Sequence, residues 1–252
     1  MKLENTAVVI TGGASGLGGA TAEYFASRGA KVTIFDLNEE QGQAHADKIG
    51  GVFAKVNVAS EEDVKAGLDK AEAAHGTTRI LVNCAGIIGA GKIVGRGEAM
   101  PLDRYKGTIE VNLVGSFNCM RLVAERLAKA DEIDGERGVL ISTASIAGYE
   151  GQMGQVAYAA SKGGIIGMTL PVARDLARDK IRNMTIAPGI FMTPMMEAVP
   201  EDVRAALAAN VPNPSRLGDP VEFAKLAEHI AENGYLNGEV IRMDGALRMQ
   251  PR

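Results

Sequence analysis

Short, unbroken apolar runs alternate along the chain with longer stretches of helical period. Residues 6–11, TAVVIT, run apolar into Gly12 and Gly13, which predicts a strand buried on both faces. The same pattern recurs in KVTIFD ending at Asp36, VFAKVNV at 52–58, RILVNCAG at 79–86, VLIST from 139, IRNMTIAPG and GEVIRMDG. Between them lie amphipathic stretches. One opens near Ser15, carries Ala22, Phe25 and Ala26 on its apolar face and closes at Gly29. Others run from about Glu61 to Ala74, from Leu102 to about Ala130, from Val156 to Ala177 and from Val221 to Ala231. Pro171 should kink the fourth of these. Strand and helix taking turns predicts an α/β fold over residues 1–252: a single domain, a Rossmann-type doubly wound parallel sheet of about seven strands with helices on both faces.

Three segments stand outside that rhythm. Residues 87–101, IIGAGKIVGRGEAMP, make a long loop whose cations Lys92 and Arg96 are either solvated or hold a substrate phosphate. Asn112 interrupts the apolar VNLVGSF, where a buried amide must be paired; it either ties its helix to a strand or helps relay a proton. The Pro- and Met-rich stretch at about 188–218 reads as a substrate loop, with Met192, Met195 and Met196 either as adaptable packing or, the preferred reading, as an apolar lid over an acyl or ring substrate.

Composition removes several classes of function. The net charge is −4 and no run of five like charges occurs, so nucleic acid is not expected as a partner. No apolar stretch reaches eighteen residues, so no membrane span is expected and the chain reads as soluble and cytoplasmic. Two cysteines, Cys84 and Cys119, provide no disulfide framework and read as buried thiols in a reducing compartment. His45, His75 and His229 stand too far apart to suggest a metal site.

The candidate chemistry begins at the first turn. In TGGASGLG, Gly12, Gly16 and Gly18 let the backbone turn tightly and approach a ligand, while the helix opening near Ser15 offers free N–H groups, a combination suited to a pyrophosphate. Asp36, about twenty residues on, stands where a carboxylate accepts from a ribose diol and repels a 2′-phosphate, which predicts NAD rather than NADP. Strand ends at Asn57, Val58 and Asn83–Gly86 should face adenine and ribose.

Tyr158 and Lys162 lie four apart on one helical face. A phenol ionises near pH 10, and bringing it to about 7 takes roughly 4 kcal/mol of preferential phenolate stabilisation. Lys162 is expected to supply part of this, with Ser145 holding the substrate oxygen. Such a site moves a proton on and off an alcohol.

Taken in order, TGGASGLG, Asp36, NCAG at 83–86, Asn112, Ser145, YAASK at 158–162 and PG at 188–189 resemble the short-chain dehydrogenase/reductase family over the whole chain. The resemblance implies a tetrad: Tyr158 as acid/base, Ser145 orienting the substrate oxygen, Lys162 binding the nicotinamide ribose and Asn112 holding a relay water. It also implies a cofactor seat that includes Gly12, Ser15, Gly16, Leu17, Gly18, Asp36, Asn57, Val58, Asn83, Cys84, Ala85, Gly86, Tyr158, Lys162 and Pro188.

Within the family, NCAG, the long loop before Leu102, SKGGIIGMTLPVARDLA, PSRLGDP and NGEVIRMDGALRMQP resemble the type 2 3-hydroxyacyl-CoA dehydrogenases, also called type 10 17β-hydroxysteroid dehydrogenases. This implies Gln152 and Gln155 in the substrate site, Phe191 and Thr193 at the nicotinamide half, an acyl-CoA substrate and a homotetramer. One departure is Asn57, where members usually carry an Asp that receives the adenine amino group. The expected activity is reversible NAD-dependent oxidation of a secondary alcohol. A hydroxysteroid dehydrogenase is the nearest alternative. A non-catalytic NAD-binding protein is the alternative from another class, against which Ser145, Tyr158 and Lys162 together argue.

Overall fold

Side chains on a strand alternate between the two faces, so each apolar run feeds two separate cores. From β1 (Ala7–Thr11), Val8 and Ile10 enter one core while Val9 enters the other. The computed structural model describes residues 1–251. After β1 come α1 (Gly16–Ser27), β2 (Lys31–Asp36), α2 (Glu39–Ile49), β3 (Val52–Lys55), α3 (Glu61–His75) and β4 (Ile80–Asn83). A small antiparallel pair, β5 (Val94–Gly95) and β6 (Glu98–Ala99), lies inside the expected long loop. Then follow α4 (Leu102–Ile109), α5 (Gly115–Ala128), β7 (Gly138–Thr143), α6 (Val156–Asp175) and β8 (Ile181–Pro188). The chain continues through α7 (Pro194–Glu197), α8 (Glu201–Ala209), α9 (Pro220–Glu232) and β9 (Val240–Met243).

Seven strands form one parallel sheet in the order β3-β2-β1-β4-β7-β8-β9. Phe25 of α1, Ala46 of α2 and Phe223 and Ile230 of α9 cover one face; Val64 and Leu68 of α3 and Cys119 and Leu127 of α5 cover the other. The chain moves outward from β1 to β3 and then returns to the far side of β1 with β4. This reversal leaves a crevice at the carboxyl ends of β1 and β4, where ligands bind in open α/β sheets.

Several boundaries differ from the sequence expectation. The third and fourth strands stop at Lys55 and Asn83, because the residues beyond them turn away from the ladder to line the crevice. The helical region expected from Leu102 to Ala130 is broken by a π-helical turn at Glu110–Val114. Asn112 sits in that turn, fully buried, and its side chain reaches across to Ile87. α6 runs unbroken through Pro171 and ends two residues before Ala177. No described helix is long and apolar enough to cross a membrane.

Candidate active site

Thr11, the last residue of β1, organises the floor of the crevice. Its Oγ1 accepts from the N–H groups of Cys84 and Ala85, both at 3.1 Å, which binds the turn after β4 to the end of β1. Gly12 follows with φ +65°, and a Cβ there would stand 2.8 Å from Ala85 N. At Gly18 a Cβ would meet the Gly12 carbonyl oxygen at 2.3 Å, so α1 can approach the turn only without a side chain. Ser15, at the start of α1, makes no side-chain cap, which leaves the helix's first N–H groups directed outward. Asp36 at the end of β2 accepts from Ala14 N–H at 3.1 Å and Asn38 N–H at 3.0 Å, one bond on each oxygen. Each oxygen keeps a lone pair for a diol.

Gly12, Ser15, Gly18 and Asp36 line one cleft of about 660 Å3, together with Gly16, Leu17, Asn57, Val58, Cys84, Ala85 and Gly86. At its other end stand Ser145, Gln152, Gln155, Tyr158, Lys162, Pro188, Phe191 and Thr193. Phe191 contributes little surface. It is 7 % exposed and its ring packs over Gly218, where a Cβ would lie 2.6 Å away.

Two predicted residues do not reach the cleft. Asn83 is buried behind it and its Nδ2 donates to the Ser116 carbonyl oxygen at 3.3 Å, which braces β4 against α5. Asn112 is likewise behind the wall. Its Oδ1 accepts from Ile87 N–H and its Nδ2 donates to Ile87 O, both at 2.8 Å, and to Ser161 Oγ at 3.0 Å. Ser161 Oγ donates in turn to the Tyr158 carbonyl oxygen at 2.8 Å, so one amide ties the loop after β4 to the helix that carries Tyr158.

Ser145 caps a short 3-10 turn after β7, its Oγ accepting from Ala147 N–H at 3.1 Å. Lys162 is 5 % exposed and its Nζ donates to the Thr143 carbonyl oxygen at 2.6 Å, 5.7 Å from the centre of the Tyr158 ring. Burial lowers its pKa to about 8. The Tyr158 phenol departs from the expectation of a lowered pKa. Burial raises it above the ordinary tyrosine value, with hydrogen bonding to Ser145 opposing. The ammonium is occupied by a strand carbonyl, and the phenolate would be buried. Cys84, beside them, is held up at about 11 by burial, and Cys119 at about 12 by the same cause. Both are free thiols.

Gln152 and Gln155 bond to each other, and Gln152 Nε2 donates to the Gln250 carbonyl oxygen at 2.9 Å. The segment after β9 therefore returns to the cleft, where Met249 joins Met195, Met196 and Leu207 as an apolar wall. The sequence expectation placed Met192, Met195 and Met196 there; Met192 does not line the cleft, and Leu207, Met249 and Thr143 went unpredicted. A backbone carbonyl carries no residue signature, and Met249 approaches only through tertiary folding. Lys92 and Arg96 are exposed on and beside the β5–β6 pair, outside the cleft-lining set, and neither forms an ion pair among the described residues. Among the described residues no group of three His, Cys, Asp or Glu side chains could hold a metal.

A glycine turn against a buried strand end, followed across the cleft by Ser, Tyr and Lys, is the arrangement of a family of oxidoreductases. The family model described as short chain dehydrogenase matches residues 6–204, and the chain belongs to that family. It is 52 % identical to human (Homo sapiens) 3-hydroxyacyl-CoA dehydrogenase type-2, over 99 % of this chain and 98 % of that protein. It is 49 % identical to the protein of the same name from Drosophila melanogaster, over 99 % and 100 %. The crystal structure of 3-hydroxyacyl-CoA dehydrogenase type-2 from Mycobacterium avium superposes with a TM-score of 0.95 at 47 % identity, covering 98 % of each chain.

Proposed function

We propose that the chain catalyses reversible NAD-dependent oxidation of a secondary alcohol, the 3-hydroxyl of a short or branched 3-hydroxyacyl-CoA thioester. The observation that carries this reading is the meeting of Ser145, Tyr158 and Lys162 in the same cleft as the Gly12–Gly18 turn and Asp36. The cradle fits a dinucleotide: a Cβ at Gly12 or Gly18 would close it, and Asp36 keeps acceptor capacity on both oxygens. Gly12, Ser15, Gly16, Leu17 and Gly18 would hold the pyrophosphate and Asp36 the adenosine ribose. NAD supplies the acceptor for the hydride that leaves the carbinol carbon.

The chain's own residues handle the proton. Ser145 Oγ holds the substrate oxygen beside the Tyr158 phenol. In the ketone-reducing direction the protonated phenol, its acidity weakened by burial, donates to the forming alkoxide. In the oxidising direction Tyr158 must accept the hydroxyl proton, and the Lys162 ammonium favours the charged form that does so. Lys162 requires the carbonyl of Thr143 to remain in place, because that bond holds its otherwise unpaired buried cation. Asn112 acts on this geometry through Ser161 and the backbone of Tyr158.

The apolar wall of Met195, Met196, Leu207 and Met249 supports an acyl chain as substrate. The same reading includes a homotetramer in a reducing, cytoplasmic setting. It is supported by the exposure of Val114, Phe117, Val156 and Leu170 on the helical faces of α5, α6 and the turn before α5, and by the free thiols. The test is initial NADH formation by purified protein with NAD and 3-hydroxybutyryl-CoA, 2-methyl-3-hydroxybutyryl-CoA or a hydroxysteroid. Faster thioester oxidation is expected. Turnover of the steroid alone, or of none, would overturn the acyl-CoA assignment.

A further inference from the structure

Terminal segments fray unless something ties them down. Here the segment after β9 is tied by charge. Arg242 of β9 clamps Glu150 with both terminal nitrogens, Nη1 donating to Oε1 at 2.9 Å and Nη2 to Oε2 at 3.2 Å, the paired geometry that suits a carboxylate. Arg248 Nε lies 3.4 Å from the same Oε1, and the Met249 backbone N–H donates to Oε2 at 3.4 Å. Asp244 closes the group, its Oδ2 accepting from Arg242 Nη2 at 2.7 Å and from Arg248 Nη1 at 3.2 Å. Hydrogen bonding from Arg242 holds the Glu150 carboxyl below its ordinary pKa, so the group stays ionised at neutral pH.

Two further bonds extend the tie. Met153 N–H donates to the Pro251 carbonyl oxygen at 3.0 Å, and Gln152 Nε2 donates to that of Gln250 at 2.9 Å. Leu247 is buried with Ile146 and Val211, and Met249 packs against that cluster. Met249 thereby lines the cleft, whereas Glu150, half-buried behind it, does not. The apolar wall has two sources: Met195, Met196 and Leu207 come from the segment after β8, and Met249 from the far end of the chain.

We propose that Glu150 is a positioning residue for the substrate: by holding residues 248–251 against its own loop it fixes Met249 as one side of the acyl pocket, and so sets which acyl chains the cleft favours. The inference rests on the acyl-CoA reading above. A short acyl chain makes few contacts and depends on the wall that closes on it, whereas a longer chain needs the space that Met249 fills. Glu150→Gln keeps the shape but exchanges one acceptor oxygen for an NH2 group. That group faces Arg242, Arg248 and Met249 N–H, donors all, so the tie breaks and Met249 loses its fixed place.

The experiment is steady-state NADH formation by the full chain with 3-hydroxybutyryl-CoA and 3-hydroxyoctanoyl-CoA, for the unsubstituted protein, Glu150→Gln, Met249→Ala and the double variant, with the Kd for NAD measured beside it. Glu150→Gln should shift the ratio of kcat/KM for the two thioesters at least about tenfold towards the longer chain. The shift should lie in KM rather than kcat, and the Kd for NAD should change less than about threefold. Met249→Ala should shift the ratio in the same direction, and the double variant should add less than about twofold to either single change, because both act on one contact. Should Glu150→Gln not fold, Arg248→Gln, at a side chain that is mostly exposed, loosens the same tie and must shift the ratio the same way. An unchanged ratio in Glu150→Gln, full additivity in the double variant, or a Kd for NAD that rises as much as the KM values would overturn this role for Glu150 and leave the acyl-CoA reading intact. No turnover of either thioester by the unsubstituted protein would overturn both.

Discussion

Lys162 Nζ donates to the Thr143 carbonyl oxygen at 2.6 Å, so the cation that helix α6 carries towards Tyr158 is anchored by the end of strand β7. Helical spacing puts the two side chains on one face, but the strand end decides how much of the ammonium the phenol receives. The same bond keeps a charged group in a nearly closed position, and its consequence is measurable as stability.

Lys162 has its pKa lowered from 10.5 to about 8 by burial. Between these values the unfolded chain binds more protons than the folded one, so this group's contribution to stability rises with pH across that window. Below pH 8 its cost is present in full, on the order of 3 kcal/mol. Chemical denaturation of the unsubstituted protein and Lys162→Met should therefore show the difference moving in favour of the unsubstituted protein from pH 8 to 10. A difference independent of pH would refute the buried, charged Lys162.

Tyr158→Phe removes the phenol proposed to carry the proton and keeps the ring. Turnover should fall by at least about a hundredfold, while the Kd for NAD changes less than threefold, which on the scale of tenfold per 1.4 kcal/mol is a minor loss. Stopped-flow NADH formation beside calorimetric binding separates these effects. Retained turnover would remove Tyr158 from the chemistry.

Asn112→Ala deletes three buried hydrogen bonds at once and leaves the N–H and carbonyl of Ile87 without their partner. We expect a loss of about 2 to 3 kcal/mol, seen as a fall in Tm of roughly 5 to 10 °C. Because Ser161 and the Tyr158 carbonyl lie on the same path, kcat should fall more than KM rises. Unchanged melting would contradict the bracing role.

At Asp36 the substitution Asp36→Ala should narrow the preference for NAD over NADP, since the carboxylate repels a 2′-phosphate. The loss of its bonds to Ala14 and Asn38 N–H should also weaken NAD itself. The ratio of kcat/KM for the two cofactors is the measurement, and an unchanged ratio would count against Asp36 as the discriminator.

Gly18→Ala sets a methyl group 2.3 Å from the Gly12 carbonyl oxygen, backbone that cannot swing aside. Stability should drop by about 1 to 3 kcal/mol, and the Kd for NAD should rise at least tenfold. Normal melting with normal NAD affinity would show that the turn does not depend on this close approach.

The sequence by itself determined the sheet, its helices and most of the cleft lining. Apolar runs such as AVVIT and VLIST can be buried only on both faces, and Gly12, Gly18, Asp36, Tyr158 and Lys162 carry their chemistry in residue type and local spacing. Tertiary structure decided what depends on partners distant along the chain. It placed Asn83 and Asn112 behind the cleft wall, where Asn112 pairs with Ile87 and Ser161 and Asn83 Nδ2 with Ser116, partners reached only across packed elements, while Asn83 Oδ1 stays buried without one. It gave Lys162 to Thr143, and by burying the phenol it raised the Tyr158 pKa that the helix face alone predicts to be lowered. It brought Met249 back to the end of the cleft that holds Ser145 and Tyr158, with Gln250 bonded to Gln152. Local pattern fixes which face a side chain takes, but hydrogen bonding and burial, which set its protonation and reach, are properties of the assembled fold.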